Sequence, residues 1–170
     1  MPWRSDARFQ EAVETVLRHE GGLVDHPNDP GGVTKYGISL RAFPHLGREG
    51  IINLTVDQAK DIYFHHYWRP NRYAEIQDPA VSTKVFDLAV NVGAVNANRI
   101  LQRAVNWLDG SRLKVDGIVG SKTLAATNQC DPVRLLQTIR WHAAEYYYQL
   151  ARARNDLRPF LLGWLNRAYA

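Results

Sequence analysis

Apolar residues recur at helical spacing along nearly the whole 170-residue chain, and one stretch, from Leu23 to Ile38, breaks that rhythm. Before it, Phe9, Val13, Val16 and Leu17 form a stripe on a helix from Asp6 to His19, with Ser5 placed to cap it and Gly21-Gly22 to end it. The stretch itself is rich in Gly, Pro, Asp and Asn, as in Asp25-His26-Pro27-Asn28-Asp29-Pro30-Gly31-Gly32, and only Val33 to Ile38 has β character. It reads as an irregular loop or small hairpin. The expected class is therefore mainly α, with a small β-hairpin or loop insert after the first helix.

The helical rhythm then resumes. Thr55-Val56-Asp57-Gln58 is a capping box opening a helix that carries Ile62, Tyr63 and Tyr67. Asp78-Pro79 starts a helix with the stripe Val81, Val85, Leu88 and Val92, stopped at Gly93. Ala97, Leu101, Ala104, Val105 and Leu108 mark the next helix, which ends at Asp109-Gly110. A two-glycine loop, Val115 to Gly120, precedes a short helix capped by Ser121. Asp131-Pro132 opens the longest helix, running to about Arg154, and Arg158-Pro159 begins the last. The seam between regions falls at Gly93 to Asn96, predicting segments 8–94 and 95–168 packed together as one compact unit.

Composition narrows the partners. At 45% hydrophobic residues the chain can bury a core without staples. The single cysteine, Cys130, excludes an internal disulfide and every multi-cysteine metal site, and reads as structural. A net charge of +4 spread without a basic run argues against nucleic acid. His65 and His66 are adjacent and point different ways on a helix, and no His-x-x-x-His pattern occurs, so neither a metal nor a cofactor is expected. No apolar run reaches the roughly 20 residues of a membrane span. Met1 to Asp6 leads into a polar stretch, not a secretory h-region, so synthesis in the cytosol is expected.

The chemistry concentrates at Arg18-His19-Glu20-Gly21-Gly22 and Asp29-Pro30-Gly31-Gly32-Val33-Thr34-Lys35-Tyr36-Gly37-Ile38. Glu20 ends a predicted helix, where the macrodipole disfavours a carboxylate, and burial beside apolar side chains acts in the same direction. Such a position suits a carboxyl that keeps its proton until a leaving group needs it. The glycines after it leave room for backbone or sugar to approach. Asp29, across the glycine-rich insert, supplies a second carboxylate, and the Thr34 hydroxyl can hold a water. Taken singly, these are also the residues of an ordinary helix stop and an ordinary turn.

In combination they are more specific. Glu-Gly-Gly, eight residues between Glu20 and Asp29, then Gly-Gly-x-Thr-x-x-Gly-Ile closely resembles the N-terminal signature of glycoside hydrolase family 108, peptidoglycan N-acetylmuramidases of phage endolysins and related bacterial cassettes. It also resembles the Glu–Asp–Thr triad of phage-type lysozymes, although four residues here separate Asp29 from Thr34 where that pattern has five. Tyr67-Trp68-Arg69-Pro70, Phe86 to Gly93, Leu101 to Asn106, Val115 to Gly120 and Phe160 to Arg167 are similar to later family segments, the last three within a peptidoglycan-binding-like region.

The resemblance implies a lysozyme-like, two-lobed helical domain that cleaves the β-1,4 bond between N-acetylmuramic acid and N-acetylglucosamine. Glu20 would be the acid, with Asp29 and Thr34 assisting. It further implies a monomer acting on bacterial peptidoglycan in the periplasm, reached through a holin or another export route. Tyr36, Tyr63 and Trp68 are candidates to stack on sugar, with core packing the competing reading for Tyr63 and Trp68. Asp87 and Asn91 share one helix face and serve either the substrate or a bond that holds the fold. Trp107, Trp141 and Trp164 read as core. A lytic transglycosylase and a non-catalytic wall binder remain the competing functions.

Overall fold

The computed structural model describes residues 1–24 and 32–170, which divide into two compact units, Met1–Pro70 and Asn71–Ala170. In the first, a short 3-10 turn at Pro2–Ser5 leads into α1 (Ala7–Glu20). Three two-residue strands follow, β1 (Leu23–Val24), β2 (Thr34–Lys35) and β3 (Ile38–Ser39), forming an antiparallel sheet in the order β1-β2-β3. Two helices absent from the sequence expectation come next, a 3-10 turn at Pro44–Leu46 and α2 (Gly47–Ile52). Then come α3 (Val56–Tyr63) and a π-helical turn at Phe64–Trp68.

The α1 cap is Asp6, not Ser5. One Asp6 carboxylate oxygen accepts from the Phe9 N–H at 2.9 Å, and the other accepts from the Trp68 indole N–H at 2.9 Å. A carboxylate can serve both donors, whereas Ser5 instead donates to the Pro2 carbonyl. That double duty ties the start of α1 to the end of the π turn. Phe9 sits between the two, meeting Phe64 and Trp68 edge-on at centroid distances of 5.1 and 5.6 Å. The predicted capping box of α3 is present in both directions: Thr55 Oγ1 accepts from the Gln58 N–H, and the Thr55 N–H donates to Gln58 Oε1.

The second unit is helical. A 3-10 turn at Tyr73–Glu75 precedes α4 (Pro79–Val92), α5 (Ala94–Asp109), α6 (Ser121–Gln129) and α7 (Pro132–Ala153). A 3-10 stretch at Asn155–Phe160 then leads into α8 (Leu161–Tyr169). Both Asp-Pro starts behave as expected, with Asp78 accepting from Val81 N–H and Asp131 from Arg134 N–H. Ser121 is the first residue of α6 and not its cap, a place taken by Gly120 without a side-chain bond. The last α-helix begins at Leu161, after the 3-10 stretch that contains Pro159.

Helix α4 is buried nearly all round and packs against α5 and α7. Three amides on one face of α5, one turn apart, hold the irregular segment after it. Asn106 exchanges two bonds with Leu113, Gln102 accepts from Gly117 N–H and donates to Ile118 O, and Asn98 donates to Gly117 O. Gly117 has φ +83°, and a β-carbon there would lie 2.8 Å from the Val95 carbonyl. Among the described residues no helix is long and apolar enough to cross a membrane.

Two core expectations fail. Trp107 is 72% exposed and Trp141 49% exposed. The α5 stripe that faces inward is Ala97, Leu101, Ala104 and Val105, and Trp107 lies off it. Trp164 is half-buried, stacked between Tyr147 and Phe160.

Candidate active site

Glu20 is the last residue of α1 and is half-buried, with its Oε1 atom shielded from solvent. The chain turns there through Gly21, whose φ of +69° suits a residue without a β-carbon. Among the described residues, a β-carbon on Gly21 or Gly22 would meet nothing within 4 Å.

The glycine pressed against the carboxyl is Gly37. A β-carbon there would fall 2.8 Å from Glu20 Cγ and Cδ and nearer still to Oε2. Gly37 reaches this place through the β2–β3 hairpin. Lys35 pairs with Ile38, leaving Tyr36 and Gly37 as a two-residue connection with φ of +50° and +72°. Positive φ at both central positions is the mark of the type I′ turn that matches strand twist, and glycine is the favoured second residue. Tyrosine in the first position is strained, and the neighbours hold it there. The Tyr63 hydroxyl donates to the Tyr36 carbonyl, and the Lys35 ammonium stands 5.5 Å over the Tyr36 ring while donating to the Ile52 carbonyl.

Tyr67 completes the surroundings. Burial, and secondarily the Glu20 charge, push its hydroxyl above the ordinary tyrosine range, which places Tyr67 within electrostatic reach of the carboxyl. Its ring lies 5.9 Å from that of Tyr63. It sits in the π-helical turn, where Arg69 N–H reaches back five residues to Phe64 O, a distortion found often at functional sites. Sequence reasoning named Gly37 in the signature and Tyr67 in an aromatic segment but gave neither a role at the acid. A Tyr-Gly pair between two β-capable dipeptides is the signal for the first, whereas nothing local marks the second.

The other sequence candidates fall as follows. Asp29 lies outside the described residues. Thr34 is on β2, the strand leading into the Tyr36-Gly37 turn, with its hydroxyl 3.5 Å from the Gly32 carbonyl, a long contact. Tyr36 is half-buried in the turn itself. Tyr63 and Trp68 are each only 1% exposed, so their faces pack in the core and neither is open to a sugar. Asn91 accepts from the Tyr147 hydroxyl at 2.6 Å, joining α4 to α7. Asp87 is buried and gripped by Arg167 of α8 through two guanidinium nitrogens at 2.8 and 3.2 Å. Cys130 sits where burial, and secondarily Asp109, push its thiol pKa up, the reverse of what a nucleophile requires.

A recessed carboxyl closing one helix, faced by the turn of a small antiparallel sheet, with most of the described residues helical, is the arrangement expected of a lysozyme-like fold. The comparisons agree. The family model described as glycosyl hydrolase 108 matches residues 13–93, and that described as a predicted peptidoglycan domain matches 96–169. The chain is similar to glycoside hydrolase family 108 over residues 13–93, and the two matches together support a peptidoglycan hydrolase. The solved structure of SagA from Brucella abortus is similar to it, with a TM-score of 0.80 and 28% identity over 97% of this chain and 91% of that one. No curated protein gives a significant match. The family boundary at 93–96 and the packing boundary at Pro70 differ, because α4 falls within the first match and packs with α5 and α7.

Proposed function

We propose that this protein is an N-acetylmuramidase that hydrolyses the β-1,4 bond between N-acetylmuramic acid and N-acetylglucosamine, with Glu20 as general acid. The observation that carries the reading is the Glu20 carboxyl at the end of α1, one oxygen shielded, with Gly37 packed on it and Tyr67 in electrostatic reach. Glycosidic oxygens leave as alkoxides unless protonated, so a carboxyl held in place by its neighbours suits that step. Among the described residues nothing crowds Gly21 or Gly22, which is where a sugar can approach. Asp29 is the second carboxylate, which either attacks the anomeric carbon or activates water, and Thr34 assists it. Residues 8–94 serve as the catalytic region and 95–168 hold the wall. Cutting the glycan strands outside the cytosol lyses the cell, as a phage endolysin does.

Glu20→Gln keeps the shape and removes the proton. It is expected to lower turnover of purified peptidoglycan by about 10²–10⁴-fold. Mass spectrometry of the wild-type digest should show reducing muramic ends, and an Asp29→Ala variant should lose them. Anhydro-muramic products, with Asp29→Ala still active, would instead identify a lytic transglycosylase.

A further inference from the structure

Two exposed indoles of the second unit lie together. Trp107, near the end of α5, and Trp141, in the middle of α7, bring their rings to a centroid distance of 5.8 Å with planes inclined by 32°. With Gln137 and Thr138, one turn earlier on α7, they line an open cleft of about 440 Å³. His142 packs edge-on behind Trp141 at 4.7 Å and stands 6.4 Å from Trp107. Burial first, then the Arg103 cation, hold the His142 pKa below its ordinary value against the opposing influence of Glu145. Both influences favour the uncharged imidazole against which Trp141 packs.

We propose that this indole pair is a sugar-stacking subsite for the N-acetylated pyranose rings of the glycan strand, built wholly from the second unit. The proposal rests on the reading that the chain acts on peptidoglycan. A β-linked pyranose presents a flat face of C–H bonds, bordered by hydroxyl and acetamido groups. The two indoles supply an apolar, electron-rich surface for the face. Gln137 supplies both a donor and an acceptor for the border. The Thr138 hydroxyl donates to the Arg134 carbonyl at 2.8 Å, which leaves its lone pairs to accept from a sugar hydroxyl.

Other occupants fit less well. None of the four lining residues is charged, and a carboxylate-bearing stem peptide would call for a cation. A second protein molecule needs roughly 800 Å² on each partner for a stable interface, and two indoles of about 150–250 Å² each supply only part of that. Both indoles also fall inside the stretch that matches the predicted peptidoglycan domain.

The test uses the full chain carrying Glu20→Gln, so that bound glycan is not cut. Affinity is measured by co-sedimentation with peptide-free glycan strands and by tryptophan fluorescence with tetra-N-acetylchitotetraose. Trp107→Ala and Trp141→Ala should each weaken strand binding at least about tenfold, equivalent to about 1.4 kcal/mol. Trp107→Phe should recover part of the loss. Both side chains are exposed, so melting temperatures should hold; if Trp141→Ala lowers its own, Trp107→Ala and Trp107→Phe carry the test. Unchanged affinity in the alanine variants overturns the proposal. So does a parent that binds peptide-bearing sacculi but not stripped strands, or a parent dimer that Trp107→Ala dissolves while strand binding persists. Cleavage surviving in Glu20→Gln would overturn the muramidase assignment and leave the strand-binding result intact, so the two failures are distinguishable.

Discussion

The end of α1 and the middle of α4 each recess a carboxylate, and they treat it in opposite ways. Asp87 on α4 is buried and forked by Arg167, and the same arginine also donates to the Asp87 carbonyl at 3.3 Å. Lys84, one turn earlier, donates to the Arg167 carbonyl. The result is a closed polar knot inside helices, with donors matched to acceptors. Glu20 instead terminates its helix, with a strained two-residue turn packed on it and a tyrosine in electrostatic reach. A carboxylate held in a matched fork serves the fold. The one at a helix end, with a turn packed on it, is the one proposed as the acid. The difference teaches that burial alone does not mark a catalytic acid; what packs on the carboxyl does.

The comparison breaks first, and most visibly, at Asp87. Replacing it with Ala removes both carboxylate acceptors from the half-buried Arg167 guanidinium, which is expected to cost about 3–5 kcal/mol of stability. Thermal or urea unfolding should show a large drop, with turnover preserved at temperatures where the variant is still folded. An unchanged midpoint would mean that the fork contributes nothing to the second unit.

Gly37→Ala probes the opposite region and should cost less stability but more activity. Positive φ at a non-glycine residue costs about 1–2 kcal/mol, and the new methyl must displace the Glu20 side chain. Turnover should fall at least about tenfold, since a misplaced acid loses alignment. Full activity in a folded Gly37→Ala protein would refute the claim that the turn positions Glu20.

Tyr67→Phe removes only the hydroxyl. Loss of one hydrogen-bonding group near the acid predicts a fall in kcat of roughly three- to tenfold, about 0.5–1.5 kcal/mol, with KM and melting temperature little changed. A rise in KM with kcat intact would make Tyr67 a binding residue instead.

The smallest effect is confined to a pH window. Burial first, and secondarily the Arg140 and Arg167 cations, lower the Lys84 pKa from 10.5 to about 8, with Asp87 opposing. Between those values the unfolded chain binds a proton that the folded chain does not, so the cost of burying the Lys84 ammonium fades as pH rises through the window. Denaturation midpoints of wild type relative to Lys84→Met should therefore rise from pH 8 to 10.5. A flat difference would show that the ammonium is not disfavoured by the fold.

Much of this was legible in the chain itself. The helix stops at Gly21, Gly93 and Gly110, the Asp-Pro starts at Asp78 and Asp131, and the capping box at Thr55 all follow from bonds spanning a few residues, and the sequence alone determined them. It also placed Glu20 at a helix end beside a β insert, because those signals are equally local. It could not decide which face of each element turns inward. Tyr63 and Trp68 entered the core, whereas Trp107 and Trp141 stayed out, and both outcomes depend on contacts between distant segments. The pairing of Asp87 with Arg167, eighty residues apart, belongs to the same class. So does the placement of Gly37 and Tyr67 on the acid, which required α1, the hairpin and the π turn to be assembled first. Local hydrogen bonding writes helix limits into the sequence, but the neighbours that give a carboxyl its role are supplied only when tertiary packing closes around it.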